Sequence, residues 1–182
     1  LFEELIAQNP GLSQLKQGLA RAYLERGDEQ RALELLDAGA SDGFASLPRD
    51  LIWVFGLTAY ADVAAQLRAE GPARQLYALL APYHDQYPFI AAACQDCPVA
   101  TYLGGLAGVL GRYDESEAYF VEAADFNARG SMVYAAARND LAWARMLEAR
   151  RAPGDQERAL TLLARSSSAA VTMGYDYVAR LV

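Results

Sequence analysis

The stretch Gly27–Leu36, GDEQRALELL, decides the fold because it recurs near the other end of the chain as Gly154–Leu163, GDQERALTLL. Seven of the ten positions are identical. A third related stretch, GRYDESEAYFVEA, lies between them at residues 111–123. Each copy places a Gly one to three residues before an acidic residue and then small and large apolar residues at helical spacing. Such self-similarity predicts stacked helical hairpins.

The recurring glycine predicts the turn inside each hairpin, because glycine ends a helix in the left-handed conformation without a steric penalty. Asp28, Asp114 and Asp155 then lie at or near the start of the returning helix, where a carboxylate meets unpaired N–H groups. The apolar face that follows cannot be buried by one hairpin alone, so neighbouring hairpins must stack. We therefore expect an all-α fold, a right-handed α-α superhelix of stacked helical hairpins.

Turn signals divide the chain into repeating units. We expect hairpins at about residues 12–40, 49–83, 98–128 and 131–173, with a partial repeat at 1–10 and the start of a further element at 175–182. Gly71-Pro72 is expected to break the second hairpin, and Ser131 to cap the fourth. The region 82–98 contains three prolines and predicts a long connection with one short helical turn at Phe89–Ala93. Because the chain opens and closes inside helical patterns, we expect one repeat domain cut from a longer protein.

Two sets of residues resemble the tetratricopeptide repeat. Gly111, Tyr113, Phe120 and Ala123 have the spacing of the second half of that repeat, with Ser116 where the pattern usually has Ala. The N-terminal region meets the same register with Phe2, Pro10, Leu19, Ala20, Tyr23, Gly27, Ala32 and Leu36. The resemblance implies a binding scaffold in which the first helix of each hairpin lines a concave groove. The predicted hinge glycines, Gly27, Gly71, Gly111 and Gly154, are 44, 40 and 43 residues apart. This spacing exceeds the standard repeat of about 34 residues, which favours a looser variant with longer helices.

A second resemblance concerns most of the chain. The order and spacing of residues 76–83, 111–131 and 139–163 are similar to the C-terminal helical-repeat region of large bacterial signalling ATPases. Those proteins join an ATP-binding switch domain to a nucleotide-cyclase domain or a LuxR-type helix-turn-helix. The resemblance implies a sensing or scaffolding role in signal transduction or transcription regulation, without catalysis in this region. We expect a cytoplasmic location, since no secretory leader opens the sequence.

Composition and charge argue against several functions. Uncharged runs such as Leu51–Ala61 are too short to span a bilayer, so no membrane association is expected. The net charge of −7 argues against nucleic-acid binding by this region, because phosphate contacts need a basic face. Residues 1–128 carry 8 basic and 18 acidic side chains, whereas residues 129–182 carry 8 and 5. This unevenness reflects either solvated helix faces or an Arg-rich end that docks an acidic neighbour.

The sequence offers little catalytic chemistry. The pair Cys94 and Cys97 has CxxC spacing, but zinc needs four ligands and the one histidine, His84, stands ten residues before Cys94. A redox site of this kind would need a βαβ context. We predict two reduced thiols in a loop, with no metal and no cofactor. A single His, and a single Lys at position 16, leave little for acid–base or phosphate chemistry, so we predict no enzyme.

Two functional hypotheses remain, a protein-interaction module and a small-molecule effector sensor. The groove-facing candidates in the register of the repeat are Gln17, Arg21, Leu24, Arg68, Thr101, Gly105, Gly108, Asn139, Trp143 and Met146. They suit an acidic or mixed peptide segment, from another protein or from another domain of the same chain. Trp143 is either an interface anchor or a core residue, and Trp53 is expected in the core. Gly105 and Gly108 indicate either a close neighbouring helix or room for a ligand.

Overall fold

The structure, a computed structural model, describes residues 16–90 and 94–181 of the chain. Nine α-helices form within these ranges: α1 Lys16–Glu25, α2 Glu29–Ala40, α3 Trp53–Gln66, α4 Glu70–Leu80, α5 Val99–Val109, α6 Tyr113–Gly130, α7 Val133–Arg150, α8 Asp155–Met173 and α9 Asp176–Leu181. A short 3₁₀ helix, Ala81–Tyr83, follows α4, and two-residue strands β1 (Phe89–Ile90) and β2 (Cys94–Gln95) pair antiparallel in the connection to α5. The partial repeat expected at 1–10 lies outside the described residues.

The helices pair into four hairpins, α1–α2, α3–α4, α5–α6 and α7–α8, that stack in chain order. Each first helix contacts its own second helix and also the first helix of the next hairpin. The buried apolar residues form three clusters spread along this row instead of one central core. The expected all-α helical repeat is confirmed, and its strands are limited in the described ranges to the short pair in the connection. Among the described helices, none has both the length and the apolar character that crossing a membrane requires.

Left-handed residues close the turns inside the hairpins. Gly27, Gly111 and Gly154 have φ values of 81°, 71° and 85°, which confirms the role predicted from the recurring glycine. Asp28 caps α2, because its carboxylate accepts a hydrogen bond from the backbone N–H of Arg31 at 3.2 Å. Local sequence chemistry therefore determines where the first hairpin reverses.

The turn of the second hairpin differs from the prediction. Gly71 and Pro72 lie in the first turn of α4, where a proline is tolerated because its missing N–H has no helical partner. The left-handed residue is Arg68, with φ of 54°. Gly27, Arg68 and Gly111 each donate a backbone hydrogen bond to a carbonyl three residues earlier, and in each case the following residue donates to one five residues earlier. The break expected at Gly71-Pro72 was therefore wrong by three residues, because an arginine occupies the position that glycine holds in the neighbouring hairpins.

Two further local predictions are wrong. Ser131 ends α6 in a left-handed conformation with φ of 52°, and the residue before α7 is Met132, which makes no side-chain cap. The helical turn expected at Phe89–Ala93 is absent at Phe89–Ile90, which forms a strand, and residues 91–93 lie outside the described ranges. At Ser131 the backbone turns through local hydrogen bonds, from Ser131 to the Ala128 carbonyl and from Met132 to the Asn127 carbonyl. At Phe89–Ile90 the pairing with Cys94–Gln95 decides a segment with weak local preference.

Packing explains the positions of Gly104 and Trp53. A Cβ atom added at Gly104 would lie 2.8 Å from the Phe120 ring, so glycine is needed where α5 approaches α6. Trp53 is half-buried against the largest core cluster and meets Tyr83 edge-on, with ring centroids 5.7 Å apart. The expected core position of Trp53 is confirmed.

Candidate functional site

A cavity of about 810 Å³ lies along the row of first helices and receives residues from all four of them. Gly105 and Gly108 of α5 line it. A Cβ atom at Gly105 would lie 3.1 Å from the Ala65 Cβ, and one at Gly108 would lie 3.1 Å from the Met146 Cγ. Close neighbouring helices therefore account for both glycines, and α5 is held between α3 and α7 at the wall of the cavity.

The structure brings together six of the ten predicted groove residues. Those that line the cavity are Leu24, Arg68, Thr101, Gly105, Gly108 and Met146. They come from all four hairpins, although their positions in the sequence span more than 120 residues. The other four lie elsewhere, and each has a packing role.

Gln17 and Asn139 lie between helices and contribute nothing to the cavity lining. Gln17 is 3% exposed, and its Nε2 lies 3.3 Å from where a Cβ on Gly56 would be. Asn139 is fully buried, accepts a hydrogen bond from Thr101 Oγ1 at 2.9 Å and donates one to the Phe120 carbonyl at 3.0 Å. The Asn139 amide therefore joins α7 to α5 and α6 through hydrogen bonds, as buried polar groups commonly do. Gln17 packs between α1 and α3, and its buried Oε1 has no hydrogen-bond partner among the described residues.

Trp143 also lies outside the cavity lining. Its ring is stacked with the Phe120 ring of α6, with centroids 6.1 Å apart and an interplanar angle of 13°. The Arg158 guanidinium of α8 lies over the indole ring, 5.7 Å from the ring centroid. Trp143 is half-buried in the cluster between α6, α7 and α8, so its environment favours the core interpretation.

Arg21 belongs to a buried network of four charged side chains. Arg21 and Arg138 share the carboxylates of Asp62 and Asp96, with an Arg21 Nη1 to Asp96 Oδ2 distance of 2.6 Å. Arg138 Nη2 lies 2.7 Å from Asp62 Oδ2, and the two remaining pairs are 3.3 Å apart. The network connects α1, α3, the connection before α5, and α7. Because the two positive and two negative charges neutralise one another, they can remain buried.

Burial and neighbouring charges shift the pKa values of groups in and beside this network. Burial raises the pKa of Asp62, against the lowering effect of Arg21. Burial lowers the pKa of Arg21, but Asp62 and other neighbours outweigh it and hold that pKa well above its ordinary value. Asp62 and Arg138 both line the cavity, and they are paired with each other within the network.

The cysteine motif has a structural environment. Cys97 is a free, buried thiol whose pKa is raised, chiefly by burial, which favours the unreactive protonated form. The side chain of Cys94 lies outside the described part of the structure, so its reduced thiol stays a prediction. His84 has a different partner from the cysteine pair, because its Nδ1 lies 2.8 Å from Glu122 Oε1 of α6. In the described ranges, no three His, Cys, Asp or Glu side chains are grouped closely enough to hold a metal ion.

Sequence reasoning identified Arg21 but missed Asp62, Asp96 and Arg138. A signal was present at Asp62, because it is the one charged residue of α3 and an isolated carboxylate in an apolar helix requires a partner. The partner itself was not readable from the sequence, since Arg138 stands 76 positions away. Only the stacking of the hairpins brings these residues together.

Comparison with known proteins supports the repeat interpretation. The family model of the tetratricopeptide repeat matches residues 1–49 of the chain. No curated protein and no solved structure gives a significant match. Tetratricopeptide repeats generally bind protein or peptide partners and are typically non-catalytic scaffolds. The match and the stacked hairpins together support a tetratricopeptide-like helical repeat.

Proposed function

We propose that this chain is a non-catalytic interaction and regulatory domain of a bacterial signalling or transcription-regulating ATPase in the cytoplasm. It binds a protein or peptide segment, from another protein or from another domain of the same chain, in the cavity along the first helices. The observation that carries this proposal is that residues of all four hairpins line one cavity. An extended segment laid there contacts every repeat at once, which is how stacked repeats provide binding surface.

The chemistry of the cavity suits a peptide. Leu24, Met146 and the two glycines provide apolar contact and close backbone approach, while Thr101 and arginine side chains provide hydrogen bonds. Apolar contact combined with a few polar groups that fix orientation is the usual composition of a binding site. The resemblance of residues 111–131 and 139–163 to signalling ATPases supports the regulatory context.

A cavity-blocking variant tests the peptide-binding role. Ala149 is half-buried and lines the cavity, so Ala149→Trp fills space that a bound segment needs. Leu160, 61% exposed on α8 and absent from the lining, offers the matched control Leu160→Trp. Peptides selected from a random display library are titrated against both variants by fluorescence anisotropy. We expect Ala149→Trp to weaken binding at least about tenfold, the loss of about 1.4 kcal/mol, and Leu160→Trp to leave it unchanged.

Two results would contradict the peptide-binding role. One is a library that yields no saturable binder for the wild-type chain. The other is a set of selected peptides that bind Ala149→Trp as tightly as wild type, which would place their site on another surface.

The volume of the cavity supports a second candidate function, the sensing of a small-molecule effector. About 810 Å³ lies within the range of about 300–1,000 Å³ that is usual for ligand pockets. If a metabolite library contains the effector, it raises the melting temperature of wild type but not of Ala149→Trp. A library that stabilises neither protein, together with peptides that do bind, would favour the interaction module.

The ATPase context is tested by the full-length gene product. We expect an ATP-binding switch domain and either a nucleotide-cyclase or a helix-turn-helix segment in the same polypeptide. A gene product without an ATP-binding domain would contradict that context and leave the peptide-binding role standing.

A further inference from the structure

Two arginines at the edge of the cavity have a backbone conformation that disfavours them. Arg68 follows α3 with φ of 54°, and Arg151 follows α7 with φ of 56°. Both line the cavity. The other two first helices, α1 and α5, end at Gly27 and Gly111 with the same sign of φ. A residue with a Cβ atom is strained in this region whereas glycine is not, and Phe44 and Ser131 adopt it as well. Arg68 and Arg151 differ from those two because both line the cavity, so their placement needs a reason beyond the turn.

The helix dipole alone does not supply that reason. A cation near a helix C-terminus is favourable, but it need not occupy the left-handed position. The first hairpin shows the alternative, since Arg26 stands beside Gly27 and the chain thereby has both the cation and the unstrained turn. In the second and fourth hairpins the strained residue itself carries the guanidinium to the cavity.

The charges around the cavity favour an anion. Five arginines and four carboxylates line it, in a chain whose net charge is −7. Two of those carboxylates already have arginine partners, because Asp62 pairs with Arg138 and Glu25 lies 3.5 Å from Arg21. Arg145 donates a hydrogen bond to the neutral amide of Gln66 at 3.2 Å. The remaining carboxylates of the lining are Glu29 and Glu148, and the remaining arginines are Arg68, Arg151 and Arg180. Arg151 Nε donates a hydrogen bond to the backbone carbonyl of Glu148 at 3.4 Å, which leaves its positive charge unpaired by a carboxylate there.

We infer that Arg68 and Arg151 bind the carboxylates of an acidic peptide segment seated in the cavity. This inference rests on the proposed peptide-binding function and specifies its partner. The planar guanidinium presents paired N–H donors that match a carboxylate. A nucleic acid is disfavoured as the occupant, because the acidic chain as a whole repels a polyphosphate.

Fluorescein-labelled hexaglutamate tests the inference by anisotropy. In Arg68→Asn/Arg151→Asn both charges are lost, while asparagine tolerates the left-handed backbone better than most residues do. Arg74→Asn/Arg129→Asn is the charge-matched control, because both residues are exposed and neither lines the cavity. We expect the dissociation constant to rise about five- to thirtyfold in the first variant, as loss of two exposed ion pairs gives. The control is expected to stay within about twofold of wild type.

A second double variant keeps the inference testable even if Arg68→Asn/Arg151→Asn does not fold. Arg68→Gly/Arg151→Gly removes both guanidinium groups and also relieves the backbone strain, so its turns match those at Gly27 and Gly111. The same loss of hexaglutamate binding is expected in this variant, and circular dichroism verifies that its helices are formed.

Several outcomes overturn the inference, and they are separable from failure of the peptide-binding role. Equal losses in the cavity variant and the charge-matched control would indicate unspecific attraction. An acidic partner would be excluded if hexaglutamine bound as tightly as hexaglutamate, or if hexaglutamate showed no saturable binding. In either case the display-selected peptides would still test whether the cavity binds peptides at all. A single-stranded hexanucleotide that binds more tightly than hexaglutamate would assign the arginines to nucleic acid.

Discussion

Among single residues, Arg150 and Asp155 make the most complete ion pair at a hairpin turn. Arg150 Nε and Nη2 lie 2.9 and 2.7 Å from the two carboxylate oxygens of Asp155. The backbone N–H of Ala152 donates to the same carboxylate at 2.8 Å. The Arg150 hydrogen bonds, with smaller help from that N–H, lower the pKa of Asp155 to about 2. The pair therefore closes the longer turn between α7 and α8 in its ionised form.

The Asp155 pKa predicts a pH-dependent contribution to stability. Because the folded pKa of about 2 is below the ordinary value of 3.8, Asp155 stabilises the fold fully above that value. The contribution is lost as pH falls from about 4 through 2. We expect Asp155→Asn to be less stable than wild type at pH 7 and the difference to shrink below pH 4. Urea unfolding at pH 7, 5, 4 and 3 measures it, and a difference that is independent of pH would contradict the ionised pair.

Trp143 gives a second test at the level of one side chain. Its stacking on Phe120 predicts that Trp143→Ala costs about 3 kcal/mol of unfolding free energy, near the lower end for large aromatic residues because the indole is only half-buried. Urea unfolding measures the stability, and anisotropy with a cavity-binding peptide measures affinity at a temperature where the variant is folded. Wild-type stability combined with weakened binding would restore Trp143 as an interface anchor.

At the scale of helices, the contact between α5 and α6 depends on small atoms. Phe120 of α6 lies across Gly104 of α5, where no Cβ fits at the present distance. Ser116 Oγ donates a hydrogen bond to the Gly104 carbonyl at 2.6 Å and is fully buried. The serine that departs from the usual repeat pattern therefore adds a polar contact that an alanine could not make.

This contact predicts opposite effects for two glycine-to-alanine substitutions. Gly104→Ala is expected to destabilise the chain by about 1–3 kcal/mol, because overpacking outweighs the gain in helix propensity. Gly18→Ala in α1 is the matched control, since no atom of the described residues lies within 4 Å of its added Cβ. The control should stabilise by about 0.5–1 kcal/mol. Thermal and urea unfolding compare the two, and stabilisation by Gly104→Ala would show that α5 and α6 separate at little cost.

On the scale of the whole molecule, the charge network joins hairpins that are not neighbours in the chain. Asp96 pairs with Arg21 of the first hairpin and Arg138 of the fourth, while Asp62 links both arginines to the second. A row of repeats otherwise has contacts mainly between adjacent units. The network therefore adds long-range coupling to an array that nearest-neighbour packing builds.

Removal of one partner from this network predicts a large loss of stability. Asp62→Ala leaves two buried arginines with one carboxylate and should cost about 3–5 kcal/mol, whereas Asp125→Ala on the exposed face of α6 should cost under about 0.5 kcal/mol. Asp62→Leu/Arg138→Met retains the neutral pair of Arg21 and Asp96. We expect this double variant to lose less than the sum of its single variants in urea unfolding. Additive losses within about 0.5 kcal/mol would contradict coupling.

The sequence alone predicted the class of fold well because that class depends on local chemistry. The repeated glycine, the Asp28 cap and the helical spacing of apolar residues each act within a few positions of the chain. The same reasoning misplaced the turn at Gly71-Pro72, since Arg68 adopts a conformation that propensity assigns to glycine. It also placed Trp143 among groove residues because register alone cannot distinguish a groove face from a neighbouring-hairpin face.

What the sequence determined by itself is the succession of helices and the need for them to stack, because helix ends and apolar faces are written in short stretches. What only the tertiary structure decided is which side chains meet across hairpins. Arg21, Asp62, Asp96 and Arg138 come together over separations of up to 76 positions, and Arg68 reaches the same cavity as Arg151. Which side chains meet depends on the distance and angle between stacked hairpins, and packing along the entire row determines that distance and that angle.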